Sequence, residues 1–336
     1  MSFERYTKVY EFHDKFFPNE QPSPLVPLKG LEKQYGCKQV YLKNEAKRFG
    51  LPAFKILGAS WGTAKALSDR TGVDVLDFDG LKNAAEQQGL AVYAATDGNH
   101  GRAVARTAKR LGLKANIYTP KTVEKWSIDA IASEGCNVTV FDGDYDNAVK
   151  HVAELAEKNG DLVVQDTSWK GYETIPQYIV DGYTRLFAEI EDQLPSGVRP
   201  THTIVPVGVG SLALASALSY ENTSTNVVTV EPNTAACLKE SLAKGKNTPI
   251  QTGETIMPGL NCGTVSEQAW PLLHKLVKPE NAISISDQEA RDGIKTLAEL
   301  GVQSGPCGAA PLAALKHLKL DSDSVVVLIC TEGNQE

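Results

Sequence analysis

Short apolar runs rich in valine and isoleucine alternate along this chain with stretches of helical period. βαβ units around a parallel sheet satisfy that pattern and few other folds do. Strands are predicted at residues 40–42, 91–95, 116–118, 138–141, 162–164, 203–207, 227–230 and 325–329. Helical spacing of apolar residues is clearest over 102–111, 123–133, 145–158, 176–193, 288–300 and 311–318. No internal repeat or low-complexity tract breaks the pattern. With 336 residues and 42% hydrophobic content the chain suffices for one large domain and a smaller one. Pro195-Ser-Gly-Val-Arg-Pro-Thr201 is the most linker-like stretch and marks a candidate boundary.

The same sequence narrows function by exclusion. No run reaches the roughly 18 apolar residues of a membrane span. Residues 1–10 hold Glu4, Arg5 and Lys8 and no apolar signal-peptide core, so a cytoplasmic location is expected. Six cysteines, at 37, 136, 237, 262, 307 and 330, include no C-x-x-C pair, which speaks against a disulfide framework and a zinc site. Histidines 13, 151, 202, 274 and 317 show no ligand spacing, and no metal is expected. A net charge of −7 offers no basic footprint for nucleic acid or anionic lipid. A small molecule is the default partner.

The chemistry concentrates at junctions between strand and helix. Ala94-Ala-Thr-Asp-Gly-Asn-His-Gly-Arg102 closes an apolar run and opens a helical one, so the first helix amides point outward beside small and polar side chains. Unpaired N–H groups and the helix dipole suit a carboxylate or phosphate, and Gly98 and Gly101 let a ligand reach the backbone. Asp97 has two readings there: a cap for helix amides, or a base beside the ligand. Val207-Gly-Val-Gly-Ser-Leu-Ala213 leads into an Ala- and Leu-rich helix. It reads as an ordinary turn or as a phosphate cradle in which glycines let successive amides converge. A dinucleotide fingerprint would need a third glycine that is missing. Asp166 follows the run 162–164, where open α/β sheets place ligands and where aspartate also forms turns. Trp169 and Tyr172 read as pocket wall or as core packing. Lys55 stands in Pro52-Ala-Phe-Lys-Ile-Leu57, and burial among Phe54, Ile56 and Leu57 would favour its neutral, nucleophilic form.

Five segments carry a resemblance: Arg48-Phe-Gly-Leu-Pro-Ala-Phe-Lys-Ile-Leu-Gly58, Thr96-Asp-Gly-Asn-His-Gly-Arg102, Gln165-Asp-Thr-Ser-Trp-Lys-Gly-Tyr172, Val230-Glu-Pro232 and Thr331-Glu-Gly333. In this order, and over nearly the whole chain, they resemble the pyridoxal-phosphate enzymes of the tryptophan synthase β-subunit fold, and within them the diaminopropionate ammonia-lyase family. The resemblance implies an α/β fold of type II, with two open, mostly parallel sheets flanked by helices. It implies a large cofactor-binding domain, 1–90 and 196–336, into which a small domain, 91–195, is inserted. It implies pyridoxal 5'-phosphate on Lys55, its phosphate in Gly208, Val209, Gly210, Ser211 and Leu212, its phenolic oxygen at Asn99 and its pyridine nitrogen at Thr331. A hydroxyl at that nitrogen does not stabilise a pyridinium, which suits elimination of a good β-leaving group. Thr96, Gly98, Asn99 and His100 are implied as the grip on the substrate carboxylate, with Asp166 and Tyr172 also at the substrate. Many relatives place serine where this chain has Asp97. Two carboxylates, Asp97 and Asp166, together with Lys55 would allow proton removal from either face of the α-carbon.

The implied reaction is α,β-elimination of ammonia from 2,3-diaminopropionate, D or L, by a cytoplasmic homodimer acting on a small amino acid. Serine or threonine dehydration, another β-elimination or a racemisation would keep the cofactor and change the substrate. A vitamer-binding protein without turnover is the alternative from another class, and Lys55 with two extra carboxylates speaks against it. The chain is shorter than the bacterial enzymes it resembles and lacks the extension expected after Thr331-Glu-Gly-Asn-Gln-Glu336. Ser304-Gly-Pro-Cys-Gly-Ala309 and Met257-Pro-Gly-Leu-Asn-Cys-Gly263 match the family only in part. These two loops are expected to line the pocket that reads the leaving group.

Overall fold

The computed structural model describes residues 6–334. Strands are numbered along the chain: β1 Leu25–Pro27, β2 Gln39–Asn44, β3 Ala91–Ala95, β4 Lys114–Pro120, β5 Asn137–Phe141, β6 Leu162–Val163, β7 His202–Pro206, β8 Asn226–Pro232, β9 Ala282–Ile285 and β10 Val325–Cys330. The chain divides into two compact units: one holds Gln21–Phe54 and Tyr183–Glu336, the other Tyr6–Glu20 and Lys55–Gly182. The segment 91–195 lies for the most part in the second unit, which also takes up the helices Thr7–Phe16, Lys55–Thr71 and Phe78–Gln88.

In the first unit the strand order is β1-β2-β10-β7-β8-β9, and only β1 runs antiparallel to its neighbour. All six residues of β10, Val-Val-Val-Leu-Ile-Cys, are buried, because a central parallel strand covered on both faces has no solvent side. Val40, Leu42, Ile204, Val228, Val326 and Leu328 share one core with Ala309, Ala310 and Leu312 of the helix Pro306–Ala314. The second unit carries the parallel sheet β5-β4-β3-β6. Ala91, Tyr93 and Ala95 of β3 pack on Ala148, Val152 and Ala156 of the helix Tyr145–Asn159.

The architecture is the predicted one, two sheets of mostly parallel strands flanked by helices, and the predicted strands all fall on β2 to β8 and β10. β1 and β9 went unpredicted because three and four residues are too short to show a period, and β1 contains Pro27. The helix Lys55–Thr71 was also missed. Ile56 to Ala64 are buried without interruption, so the helix has no polar face there and leaves no amphipathic stripe. Its start is pinned by close approach: a Cβ on Gly182 would lie 2.4 Å from the carbonyl oxygen of Leu57. The helix predicted at 311–318 begins earlier, at Pro306. Proline is favoured in a first turn, but Pro306 occupies that position and Pro311 sits inside the helix.

Parallel order has one consequence for function. β3 and β6 are neighbours, so Thr96-Asp97 and Gln165-Asp166 leave the same edge of the second unit's sheet. β10 and β7 are neighbours in the first unit, so Thr331 and the 207–212 loop do likewise. Carboxyl ends of parallel strands are where open α/β sheets bind ligands.

Candidate active site

Lys55 is the first residue of its helix, and its Nζ donates to Asp166 Oδ2 at 2.5 Å. The side chain is 24% exposed and that of Asp166 8%. The apolar setting expected from the sequence is therefore not what the amine meets. Ile56 and Leu57 are fully buried on their own account, while the lysine head faces a carboxylate. Burial alone would push the Asp166 carboxyl up. The Lys55 ammonium and then His100 outweigh it and hold Asp166 below the usual carboxylate range.

His100 lies in the first turn of the helix Asn99–Arg110 and is buried. Its Nε2 donates to the carbonyl oxygen of Val164 at 2.8 Å, which fixes the ring against the chain just past β6, and its Nδ1 stands 3.9 Å from Asp166 Oδ2. Burial pushes the imidazole below its usual range, Asp166 opposing and Lys55 reinforcing the effect.

The loop Thr96–Gly98 decides between the two readings of Asp97. Thr96 Oγ1 accepts from the amides of Gly98 and Gly101, each at 3.0 Å, so the capping work belongs to Thr96. A hydroxyl that accepts twice still has its own proton to donate. The Asp97 carboxylate makes no hydrogen bond among the described residues. Its backbone carbonyl accepts from Ser127 Oγ at 3.0 Å. Asp97 is exposed by area, yet the protein packed around it, and next the negative Asp166, raise its carboxyl to about 6. Asn99 opens the helix beside it. Tyr172 stacks on Trp169 at 4.2 Å, and its hydroxyl is committed to the chain itself, accepting from Gln165 N and donating to Val163 O.

The remaining candidate residues belong to the first unit. β7 runs into the 207–210 turn and the helix Ser211–Ser219, whose N-cap Gly210 has φ +97°. A Cβ on Gly208 would lie 2.7 Å from the carbonyl oxygen of Gly259. Neither position has room for a side chain, so glycine is required at both in the turn that leads to the first amides of this helix, where a phosphate would bind. Thr331 is buried, and its Oγ1 has no hydrogen-bond partner among the described residues. Buried hydroxyls normally have one. A pyridine nitrogen, an acceptor, would complete it, so the residues present fit pyridoxal phosphate. The two loops set apart in the sequence pack in this unit: Gly259 meets Gly208, and the amide of Cys307 donates to Glu332 Oε1 at 3.3 Å.

Sequence reasoning missed a buried ionic cluster in the first unit. Arg48, fully buried, donates to both carboxylate oxygens of Glu45 and of Glu189, and Lys43 Nζ meets Glu189 Oε2 at 2.7 Å. The signal was a lysine inside the apolar strand β2. Its partner could not be read, because Glu189 is far along the chain. Gln165 and Ser127 were missed for the same reason.

A family model described as pyridoxal-phosphate dependent enzyme matches residues 16–332. The chain is 35% identical to the diaminopropionate ammonia-lyase of Escherichia coli (strain K12), over 97% of this chain and 87% of that one. The crystal structure of the Escherichia coli enzyme with an aminoacrylate-PLP azomethine reaction intermediate superposes with a TM-score of 0.86 at 32% identity, covering 98% of this chain and 90% of that one. The same enzyme with D-serine gives 0.88 at 33% identity, covering 99% and 90%.

Proposed function

As the chain belongs to the pyridoxal-phosphate-dependent enzymes and, within them, to the diaminopropionate ammonia-lyases, we propose that it eliminates ammonia from D- and L-2,3-diaminopropionate, giving pyruvate and a second ammonia. The observation that carries this reading is the Lys55–Asp166 pair beside a second carboxylate, Asp97, whose capping role Thr96 has taken over.

Pyridoxal phosphate supplies the electron sink that acidifies the α-proton. Lys55 would hold it covalently, the amides of Gly208 to Leu212 would bind its phosphate, and Asn99 and Thr331 would donate to its phenolic oxygen and its pyridine nitrogen. Thr96, Gly98, Asn99 and His100 orient the substrate carboxylate, and the Tyr172 ring walls the site. Asp97 removes the α-proton of the D isomer and Asp166 that of the L isomer. The Lys55 charge that Asp166 faces keeps its carboxyl ionised, the form a base needs. Asp97, raised to about 6, also holds a proton more readily than an ordinary aspartate, and returns it to the departing β-amine.

The proposal includes a cytoplasmic homodimer, as the family resemblance implies; among the described residues no helix is long and apolar enough to cross a membrane. Light scattering on the cofactor-loaded protein reads the oligomer. The decisive assay follows pyruvate and ammonia from both diaminopropionate isomers, serine and threonine. Twice as much ammonia as pyruvate from diaminopropionate is the expected outcome. Faster release of oxo acid from serine or threonine would replace the ammonia-lyase reading with a dehydratase.

A further inference from the structure

β3 and β6 pair at only two positions, Val92 with Leu162 and Tyr93 with Val163, before Val164 N donates once more to Tyr93 O. At Gln165 the backbone leaves the ladder: its amide donates to the Tyr172 hydroxyl at 2.9 Å, and that hydroxyl donates to Val163 O at 2.8 Å. The Gln165 side chain takes the vacated place. Its Oε1 accepts from Ala95 N at 3.1 Å and its Nε2 donates to Ala95 O at 2.9 Å, while Nε2 also donates to the Tyr145 hydroxyl at 2.7 Å. A primary amide offers a donor and an acceptor side by side, as a peptide group does, so this fully buried glutamine continues the sheet where its own main chain cannot.

The two residues so joined stand next to the two carboxylates. Ala95 precedes Thr96-Asp97, and Gln165 precedes Asp166. Releasing the backbone at 165 lets Asp166 turn towards Lys55, while the side-chain amide ties that turn back to the end of β3. We propose that Gln165 is a positioning residue that sets the separation of the Asp97 and Asp166 carboxylates and thereby the balance between D- and L-substrate turnover. Glutamate could not replace it, because a carboxylate would present a lone pair to Ala95 O where a donor is required. The inference rests on the assignment of one carboxylate to each isomer.

The test uses Gln165→Met, which keeps length and removes both polar atoms, in the cofactor-loaded enzyme. Exchange of the Ala95 amide, which loses its acceptor, should accelerate about tenfold or more. The ratio of kcat for D- and L-diaminopropionate should shift by about tenfold while KM moves less, since a displaced base costs rate more than binding. Unchanged exchange, or an equal loss on both isomers, overturns the positioning role. Tyr172→Phe serves as a second variant if Gln165→Met does not fold: it frees the Gln165 amide, should shift the same ratio in the same sense, and overturns the proposal if it does not. Asp97→Asn and Asp166→Asn run alongside. If neither variant loses activity on either isomer, the assignment of bases fails, a result distinct from an unchanged Gln165→Met.

Discussion

The backbone amide of Phe54 donates to the carbonyl oxygen of Thr331 at 3.2 Å. Gly333 N returns a bond to Pro52 O at 3.0 Å, and Ala53 pairs with Glu332, so the residues entering Lys55 form a short antiparallel contact with those that follow β10. The segment proposed to present the cofactor's amine and the segment proposed to meet its pyridine nitrogen are thus laced together through main chain. Side-chain substitution on either can alter chemistry without releasing the other. That separation allows the following tests.

Borohydride treatment of the cofactor-loaded protein should fix the cofactor to Lys55, with the modified peptide identified by mass spectrometry. Lys55→Ala should carry no covalent label. Label on another lysine would move the site.

Asp97→Asn and Asp166→Asn preserve size and remove basicity. Asp97→Asn should cost about 100-fold on D-diaminopropionate and Asp166→Asn a similar factor on the L isomer, with the opposite isomer less affected. Steady-state rates on the two isomers decide this; equal losses on both would assign the aspartates one shared role.

The pH profile follows from the direction of the Asp97 shift. Its carboxyl is raised from 3.8 to about 6, so it is protonated, and useless as a base, over a wider acid range than an ordinary aspartate. Turnover of the D isomer should fall as pH drops through about 6, and Asp97→Asn should remove that acid limb from its residual rate. A limb near 4 would show that water at this exposed side chain cancels the shift.

Gly210→Val should weaken cofactor retention far more than Ser211→Ala. Gly210 sits at φ +97°, and a Cβ there would lie 3.1 Å from Leu273 and 3.3 Å from Val265, whereas loss of one hydroxyl leaves the amides in place. Titration of the ligand-free variants with pyridoxal phosphate reads the difference, and equal affinities would remove the cradle from the assignment.

Glu189 tests the buried cluster. Burial raises its carboxyl, but the charges and hydrogen bonds of Arg48 and Lys43 outweigh this and hold it at about 2, against an ordinary 4.5. A depressed acid stabilises the fold above its unfolded value, so this contribution is complete above pH 4.5 and is lost as pH falls towards 2. Glu189→Gln leaves two buried cations short of a partner and should cost about 3–5 kcal/mol in denaturant unfolding at neutral pH. It should also flatten the acid loss of stability; an unchanged acid transition would show that other carboxylates govern it.

How much of this was legible beforehand depends on how far each feature reaches along the chain. The βαβ alternation and the Thr96–Arg102 and Val207–Ala213 junctions are local patterns, and they identified the sheets and the strand ends that carry the candidate residues. β10 illustrates why: six consecutive apolar residues leave a strand no solvent-facing alternative. The helix Lys55–Thr71 shows the limit, since burial all round erases the period by which a helix is recognised.

The sequence alone therefore determined the class of fold, the family resemblance and the residues able to carry the chemistry, because periodicity and motif chemistry are properties of neighbours in the chain. Only tertiary structure decided their partners. It set Lys55 against Asp166, handed the helix cap from Asp97 to Thr96, locked His100 on Val164 and placed the Gln165 amide where a strand should continue. Each is a contact between segments distant in sequence or a choice among neighbouring side chains. Such pairings are settled by which strands lie side by side and by the demand that every buried polar group find a partner.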